Sequence, residues 1–267
     1  MTTDFFKQTV ARRYDPRDLQ GFETSAGAVD QKHQLIDVLF ATGYKDSELF
    51  ALLSKCRKGN RCRSAACPTC LRRFRIIWCS WVAQYIDEDL TRWTVASIVP
   101  ADLAYPLGEL DRFDSAHAKD RLRKQLARSE IRRAQAVGGF DYAVQEFEDR
   151  APKWRPHIYL LISACRPYVK QALKRHYPQD ADTRVPLVVK PLEENASTAI
   201  KVATYSFKSD FYKREPDFDS LGNADTSHSE LGPDHQAELA LYLHSQGFFG
   251  RTIRRGNSQE FHKLRTR

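Results

Sequence analysis

The sequence predicts an α+β protein with a central, mostly antiparallel sheet of about five strands, helices packed on that sheet, and a zinc-bearing N-terminal extension. Three observations carry this prediction: four cysteines between residues 56 and 70, a stretch of helical periodicity after them, and β-rich runs in the rest of the chain. We therefore divide the chain into a helical, four-cysteine region at residues 1–90 and a sheet-bearing domain at residues 91–267.

Composition and charge narrow the class of protein. The 267 residues include 42 Lys and Arg against 34 Asp and Glu, so the net charge is +8, and hydrophobic residues make up 42%. That apolar fraction is enough for a buried core and argues against global disorder. No window reaches the roughly 18 apolar residues of a membrane span, and the N-terminus lacks the apolar middle region of a secretory signal. We expect a cytoplasmic protein with no membrane partner, and the basic charge favours a polyanionic partner.

The N-terminal region is predicted to be mainly helical. Residues 1–33 are polar and predict a loosely ordered arm. Residues 34–55 predict one or two short helices interrupted at Gly43. Between Arg72 and Asp87, apolar residues recur at steps of three and four, which predicts an amphipathic helix.

The first strands of the sheet are predicted from β-rich runs. Residues 91–100 form such a run, closed by a proline, and predict the first strand. A long helical stretch follows over 103–131, and the glycine pair at 138–139 is expected to end it. Residues 140–148 and 156–164 then predict two neighbouring antiparallel strands joined by a charged turn.

The remainder of the chain gives a mixed pattern. Residues 168–178 are typical of a helix, 184–192 of extended chain, and 196–213 of a helix or a mixed segment. Residues 214–233 are rich in Asp, Ser, Pro and Gly and predict a mobile loop. A last helix is expected over 235–247, followed by a basic C-terminal tail.

The four clustered cysteines are the clearest chemical signal. Cys56, Cys62, Cys67 and Cys70 end in a Cys-Pro-Thr-Cys turn, and four thiolates satisfy the tetrahedral geometry of a structural zinc ion. The alternatives are buried free cysteines or a redox pair formed by Cys67 and Cys70. Many Arg and Lys residues flank the cluster; they favour thiolate ligands and can also contact phosphate.

A histidine in the second half is a candidate site residue. In WRPHIYLLI, strand alternation places His157 and Tyr159 on one face, so that both can point into a common cleft. The alternative is an ordinary hydrogen-bonded histidine in a strand.

A tyrosine-rich segment is the second candidate. Tyr205, Lys208 and Tyr212 fall at helical spacing and can share one basic face. The alternative is that both tyrosines are ordinary amphipathic residues at the edge of the core.

Six short segments follow one another between residues 56 and 256. They are CRKGNRCRSAACPTCLRRFRIIW, WTVASIVPADLAYPLGEL, AVGGFDYAVQEFE, WRPHIYLLI, ATYSFKSDFYKR and GFFGRTIRRGN. The order of these motifs resembles that in the HUH-class initiators of rolling-circle replication in small bacterial plasmids. The resemblance implies an HUH endonuclease-like sheet domain that binds single-stranded or hairpin DNA.

The resemblance also assigns roles to individual residues. His157 takes the place of the first metal-binding histidine, with Tyr159 and either Glu146 or Glu148 completing a site for Mg²⁺ or Mn²⁺. Tyr205 takes the place of the nucleophile and Lys208 that of its neighbour, with Tyr212 as the second candidate nucleophile. The implied reaction is nicking of origin DNA, in which tyrosine attacks the scissile phosphate and forms a 5′-phosphotyrosine intermediate.

Two departures from the family pattern leave an alternative open. Tyr159 stands where the family has its second histidine, and a phenol with a pKa near 10 is a poorer ligand for a divalent ion than imidazole. Residues 201–204 also lack the acidic residue that often precedes the nucleophile. The alternative function is therefore a catalytically impaired, HUH-fold DNA-binding regulator. A zinc-bearing RNA-binding protein is a third possibility.

Basic residues near the cysteine cluster, in the long helical stretch and in the tail are the candidate DNA contacts. They are interleaved with tryptophan and phenylalanine residues that can stack on exposed bases. The alternative is a set of solvated helix faces. The candidates are Arg72, Arg73, Arg123, Lys124, Arg132, Arg133, Lys213, Arg254 and Arg255.

Overall fold

The chain folds as an α+β protein, as the sequence predicts. The structure is a computed structural model that describes residues 14–86, 89–147, 150–180, 183, 185–192, 198–205, 207, 208, 211–218 and 224–256. For residues 147, 198, 205, 215–218 and 224–227 it describes the backbone alone. The described residues form seven α-helices and eight β-strands.

Three helices build the N-terminal region: α1 (Ser25–Ala41), α2 (Glu48–Lys55) and α3 (Pro68–Ile86). Side-chain oxygens of Thr24 and Ser47 accept backbone N–H groups at the starts of α1 and α2, as helix N-caps do. The sequence predicts that the third helix starts at Arg72, whereas it begins four residues earlier, at Pro68. Proline is well suited to the first turn of a helix.

The remaining elements alternate between strands and helices. In chain order they are β1 (Thr94–Ile98), β2 (Tyr105–Pro106), α4 (Ser115–Ala127), β3 (Ala136–Phe147), β4 (Arg150–Ile162), α5 (Arg166–Lys174), β5 (Leu187–Pro191), α6 (Thr198–Tyr205), β6 (Tyr212–Phe218), β7 (Ala224–Glu230), α7 (Pro233–Arg251) and β8 (Thr252–Arg255). Short 3₁₀ helices lie at Pro16–Asp18, Leu90–Arg92 and Leu110–Arg112. The predicted helical stretch over 103–131 is therefore correct only for α4.

All eight described strands belong to one mixed sheet. Its main path runs β5-β1-β4-β3-β6-β7, with β2 paired to β4 and β8 paired to β3. The pairings are antiparallel except that of β3 with β6, which is parallel. The predicted antiparallel pairing of β3 with β4 is confirmed, and the sheet has more strands than the predicted five.

Part of the excess comes from residues 214–218 and 224–230, for which the prediction of a loop over 214–233 was wrong; residues 219–223 lie outside the described part of the chain. Strands β6 and β7 pair there along their whole length, from Tyr212 opposite Glu230 to Phe218 opposite Ala224. The segment is polar, so the composition resembles that of a loop. Backbone pairing to a neighbouring strand satisfies its polar groups without an apolar face.

The glycine pair at 138–139 was predicted to end a helix, and this prediction was wrong. Both glycines lie inside β3. A Cβ atom at Gly138 would lie 1.9 Å from the carbonyl oxygen of Tyr159 on β4, and one at Gly139 would lie 2.9 Å from the ring of Phe207. Glycine is therefore required where β3 approaches β4 and the residues after α6.

We expect Gly138→Ala to lower the free energy of unfolding by about 3 kcal/mol, because strands β3 and β4 must separate to admit the new Cβ. Chemical denaturation followed by circular dichroism measures this change. Gly232→Ala is the control, since its Cβ has no contact closer than 3.8 Å, and it should cost less than about 1 kcal/mol. Equal effects of the two substitutions would contradict the close approach of β3 and β4.

One cluster of buried apolar residues extends across the predicted boundary at residue 90, from Leu39 to Ile253. Helix α3 packs on α1 and α6, and the ring of Phe74 contacts those of Trp78, Phe207 and Phe248. Aromatic packing thus joins the four-cysteine region to the sheet. None of the helices in the described part of the chain combines the length and apolar character needed to cross a bilayer.

Candidate metal centre and charged sheet face

The four cysteines predicted to bind a metal lie together. The Sγ atom of Cys70 lies 3.7 Å from those of Cys56 and Cys62, and that of Cys67 lies 3.6 Å from Cys56 Sγ. All four sulfur atoms lie within 4.8 Å of one another. Sulfur atoms around a tetrahedral zinc ion, with bonds of about 2.3 Å, are roughly 3.8 Å apart. The cluster could therefore bind a metal ion such as zinc.

Helix ends and tight turns bring the four sulfur atoms together. Cys56 is the C-terminal cap of α2, Cys67 directly precedes α3, and Cys70 lies in the first turn of that helix. The positive φ angles of Gly59 (92°) and Arg63 (59°) reverse the chain between them. A helix N-terminus favours negatively charged ligands such as thiolates.

Hydrogen bonds favour a thiolate at Cys67 and connect the cluster to other helices. Side-chain hydrogen bonds from Cys62 and Cys70 lower the pKa of Cys67, and the Thr69 Oγ1 atom lies 3.1 Å from its sulfur. Lys32 Nζ of α1 donates to the carbonyl of Cys56 over 3.1 Å. The imidazole of His244 on α7 lies 3.1 Å from the Ser64 hydroxyl. The cluster therefore connects helices that are distant in sequence.

The predicted histidine lies in the centre of the sheet beside a carboxylate that the sequence analysis did not select. His157 on β4 pairs directly with Asp141 on β3, so both side chains lie on the same face. Both are almost fully buried, with 4% and 6% exposure. The sequence alone shows neither the register of the hairpin nor which acid opposes His157.

Glu146, which the resemblance assigned to this site, lies on the opposite face of the sheet, and its alternative Glu148 lies outside the described residues. Its carboxylate pairs with Lys213 Nζ on β6 at 2.6 Å. The next residue, Arg214, reaches Asp141 instead, with 3.9 Å between its Nη2 and the Asp141 Oδ2. Because neighbouring residues of a strand point to opposite faces, Glu146 and Asp141 are separated by the sheet.

Cationic side chains surround His157 and Asp141. Burial raises the pKa of Asp141, while Arg251, Lys208 and Arg214 act in the opposite direction. Burial lowers the pKa of His157 well below its usual range, and nearby cations including Arg155 lower it further. The imidazole is therefore neutral and the face carries a positive potential.

Arg251 closes the gap that two strands leave along one edge of β3. Strand β8 pairs with β3 at residues 136–139 and β6 pairs with it at 143–145. Between them, Arg251 Nε donates to the carbonyl of Phe140 (2.7 Å), and its Nη2 donates to that of Lys208 (2.6 Å). The guanidinium also lies within 5.4 Å of the ring centroid of Phe207. Phe207 and Lys208 are thus held against the sheet.

The predicted nucleophile lies at the end of α6. Tyr205 is the last residue of that helix, and its side chain is outside the described part of the structure. Lys208 lies over the face that carries His157, with its Nζ 5.6 Å from the ring centroid of Tyr159. Tyr212 begins β6 and pairs with Ala143, so the prediction that it shares a helix face with Tyr205 was wrong.

The surroundings of His157 fit a divalent cation poorly. His157 and Asp141 offer two ligands and Tyr159 a weak third, among side chains that are mainly cationic. Among the described residues, the four cysteines form the only group of three or more Cys, His, Asp or Glu side chains placed to hold a metal ion. The face does not have the ligand set that the resemblance implies.

Several predicted DNA contacts on α3 and β6 have structural partners. Arg72 Nε donates to the carbonyl of Glu23 over 2.7 Å, and its guanidinium lies above the ring of Phe22. Arg73 is half-buried, and Lys213 forms the ion pair described above. These side chains hold the fold together in addition to any contact with DNA.

The predicted contacts on α4 and in the segment after it are more accessible. Arg123, Arg132 and Arg133 are exposed, and Lys124 is exposed beside Asp120, which it reaches over 2.7 Å. On β8, the half-buried Arg254 and Arg255 have protein partners. The Arg254 guanidinium lies over the rings of Trp78 and Phe249, and Arg255 donates to the carbonyls of Ala134 and Arg132.

Comparisons of this chain with protein-family models, curated proteins and solved structures find no match. The geometry of the four-cysteine cluster and of the face around His157 is therefore the basis for assigning a function.

Proposed function

We propose that this protein is a DNA-binding replication initiator that nicks single-stranded or hairpin DNA through Tyr205. The cleaved strand becomes attached to the protein by a 5′-phosphotyrosine bond. In this step the tyrosine oxygen forms a bond to phosphorus, the bond from phosphorus to the 3′ oxygen breaks, and the upstream fragment leaves with a 3′-hydroxyl whose proton comes from solvent. The phenol proton passes to solvent.

The observation that carries the proposal is the position of the segment after α6. Phe207 and Lys208 lie over the sheet face that bears His157 and Asp141, next to the end of the helix that Tyr205 completes. Cationic side chains on that face attract a phosphodiester. Lys208, three residues after Tyr205, therefore lies over the strand that carries His157, which is about fifty residues away in sequence.

The four-cysteine cluster has a separate role in this proposal. A closed set of four thiolates leaves no position for substrate, so we infer a structural zinc ion. Exposed Arg123, Arg132 and Arg133 extend the basic surface and would contact the phosphate backbone without reading sequence.

A second candidate function is DNA binding without cleavage. The presence of Tyr159 in place of a second metal-binding histidine, together with the poor fit of a divalent ion, favours this alternative. Such a protein would occupy hairpin or single-stranded sites as a regulator. The two candidates share the basic face and differ in whether a covalent adduct forms.

Incubation of the full chain with labelled single-stranded and hairpin DNA pools, with and without Mn²⁺ or Mg²⁺, tests the proposal. We expect a covalent protein–DNA adduct that survives denaturing electrophoresis and falls at least about a thousandfold in Tyr205→Phe. Tyr212→Phe is the matched control and should retain the adduct.

The other outcomes separate the alternatives. Loss of the adduct in Tyr212→Phe, with retention in Tyr205→Phe, would show that Tyr212 is the nucleophile and that Tyr205 is not. Tight DNA binding with no adduct under any condition would support the regulator. Preferential binding of an RNA pool of the same sequences would contradict both DNA functions.

A further inference from the structure

We propose that the cationic face around His157 and Asp141 is a phosphate site that holds the scissile phosphodiester without a divalent metal ion. This inference rests on the nicking function proposed above and specifies how that site neutralises its substrate. The cationic side chains of the site are Arg155, Lys208, Arg214 and Arg251.

The balance of charge at the site favours an anion. Among the described residues, four cations face one carboxylate, that of Asp141, so with a neutral His157 the summed charge of these groups is 4 − 1 = +3. A divalent cation would add two further positive charges to a poorly solvated region, where charges interact strongly. A phosphodiester carries a single negative charge and reduces the local excess.

The cations differ in their access to a ligand. Arg155 and Arg251 are buried, with 1% and 3% exposure, whereas the side chain of Arg214 is 25% exposed and Lys208 is half-buried. Lys208 and Arg214 are therefore placed to contact a phosphate oxygen directly. Arg155 and Arg251 are positioning residues that do not contact the phosphate. Arg251 holds Lys208 in place through its hydrogen bonds to the carbonyls of Phe140 and Lys208.

An unsatisfied polar atom at the site is a second, independent observation. Within the described part of the chain, Arg214 Nε is buried and has no hydrogen-bond acceptor. Buried polar groups usually have partners, so such an atom indicates an absent acceptor. A phosphate oxygen supplies the acceptor that the Arg214 guanidinium lacks.

This arrangement replaces the electrostatic function of a metal ion. Negative charge grows on the phosphate oxygens as tyrosine attacks, and fixed ammonium and guanidinium groups stabilise that charge in a water-poor site. The bonds formed and broken are those of the nicking step given above, and no redox partner is needed.

Asp141 distinguishes a phosphate site from a metal site. As a metal ligand, its carboxylate would be required for cleavage. At a phosphate site, it is a counter-ion that opposes the incoming anion. We therefore expect Asp141→Asn to bind single-stranded DNA at least about threefold more tightly, since the substitution removes one like charge beside the phosphate. A metal site predicts instead that Asp141→Asn loses cleavage without tighter binding.

The first experiment measures adduct formation by the full chain in buffer depleted of Mg²⁺ and Mn²⁺ by a chelating resin. The zinc content of the protein is measured alongside, so that the four-cysteine cluster is known to stay loaded. We expect the adduct to form at a rate within about tenfold of that with Mn²⁺. An adduct that forms only after Mn²⁺ or Mg²⁺ is added would overturn the phosphate site.

Substitutions then test the individual cations. Arg214→Gln should weaken binding of single-stranded DNA in the metal-free buffer by at least about tenfold, as expected for a charge-assisted contact to phosphate. Lys170→Gln on the exposed surface of α5 is the matched control and should change binding by less than about twofold. Equal effects of the two substitutions would contradict the site, and thermal unfolding of each variant identifies a loss of fold.

Failure of the nicking function is separable from failure of this inference. If no adduct forms under any condition, the nicking proposal fails. The phosphate site is then tested by the DNA-binding measurements alone. Metal-free binding of single-stranded DNA that weakens in Arg214→Gln would then support it. Mn²⁺ binding detected by electron paramagnetic resonance, and lost in His157→Ala, would overturn it.

Discussion

Replacing Cys70 by alanine is expected to release the metal ion from the four-cysteine cluster and to lower the melting temperature by at least about 10 °C. The sulfur of Cys70 lies 3.7 Å from two of the other three sulfur atoms, so its loss opens the site. Binding free energies of structural zinc are about 10 kcal/mol or more, and much of that energy stabilises the fold. Metal analysis by mass spectrometry and thermal unfolding measure the two effects.

Cys165→Ala is the control for this prediction. Cys165 is exposed at the start of α5, outside the cluster, and makes no side-chain cap hydrogen bond. We expect this variant to keep one zinc ion per chain and to melt within about 2 °C of the parent. Two results would contradict a structural metal. One is a parent protein that contains no metal when purified under reducing conditions, and the other is a Cys70→Ala variant of unchanged stability.

Replacing Arg251 by methionine is expected to cost about 4 kcal/mol of stability. The guanidinium is buried and donates to two carbonyls, those of Phe140 and Lys208, which methionine would leave without this donor. Asp141 would also lose a buried counter-charge, which adds to the cost. Equilibrium denaturation in urea measures the change.

The same variant separates folding from the proposed site. Because Arg251 fixes the residues after α6, the folded fraction of Arg251→Met should also show weaker binding of single-stranded DNA. Arg123→Met on α4 removes an exposed arginine and should change stability by less than about 0.5 kcal/mol. An Arg251→Met protein as stable as Arg123→Met would mean that the buried guanidinium does not hold the edge of β3 together.

The features that the sequence predicts well are local in the chain. The cysteine cluster lies within fifteen residues, and its spacing alone indicates that the four sulfur atoms can meet. The antiparallel hairpin of β3 and β4 follows from two neighbouring β-rich runs. In both cases the relevant contacts join residues close in sequence, so residue type and spacing contain the information.

The features that the sequence misses depend on distant pairing. Asp141 is one of many acids, and only the register of β3 against β4 sets it beside His157. Gly138 and Gly139 are typical of a helix end by composition, whereas their role is to admit Tyr159 and Phe207. In the sequence, an arginine that contacts DNA cannot be distinguished from one that, like Arg72, donates to the carbonyl of Glu23. Register and tertiary packing, which residue type does not encode, decide each case.

The position of β8 bears on how the chain reaches its native state during synthesis. Residues 252–255 form the last strand of the described part of the chain, yet they pair with residues 136–139 of β3, which lies well inside the sheet order. Until that strand has left the ribosome, four residues of β3 have no partner on one side. Exposed strand edges of this kind promote association between chains. Nascent chains that stall before residue 252 are therefore expected to be more prone to aggregate than chains that include β8.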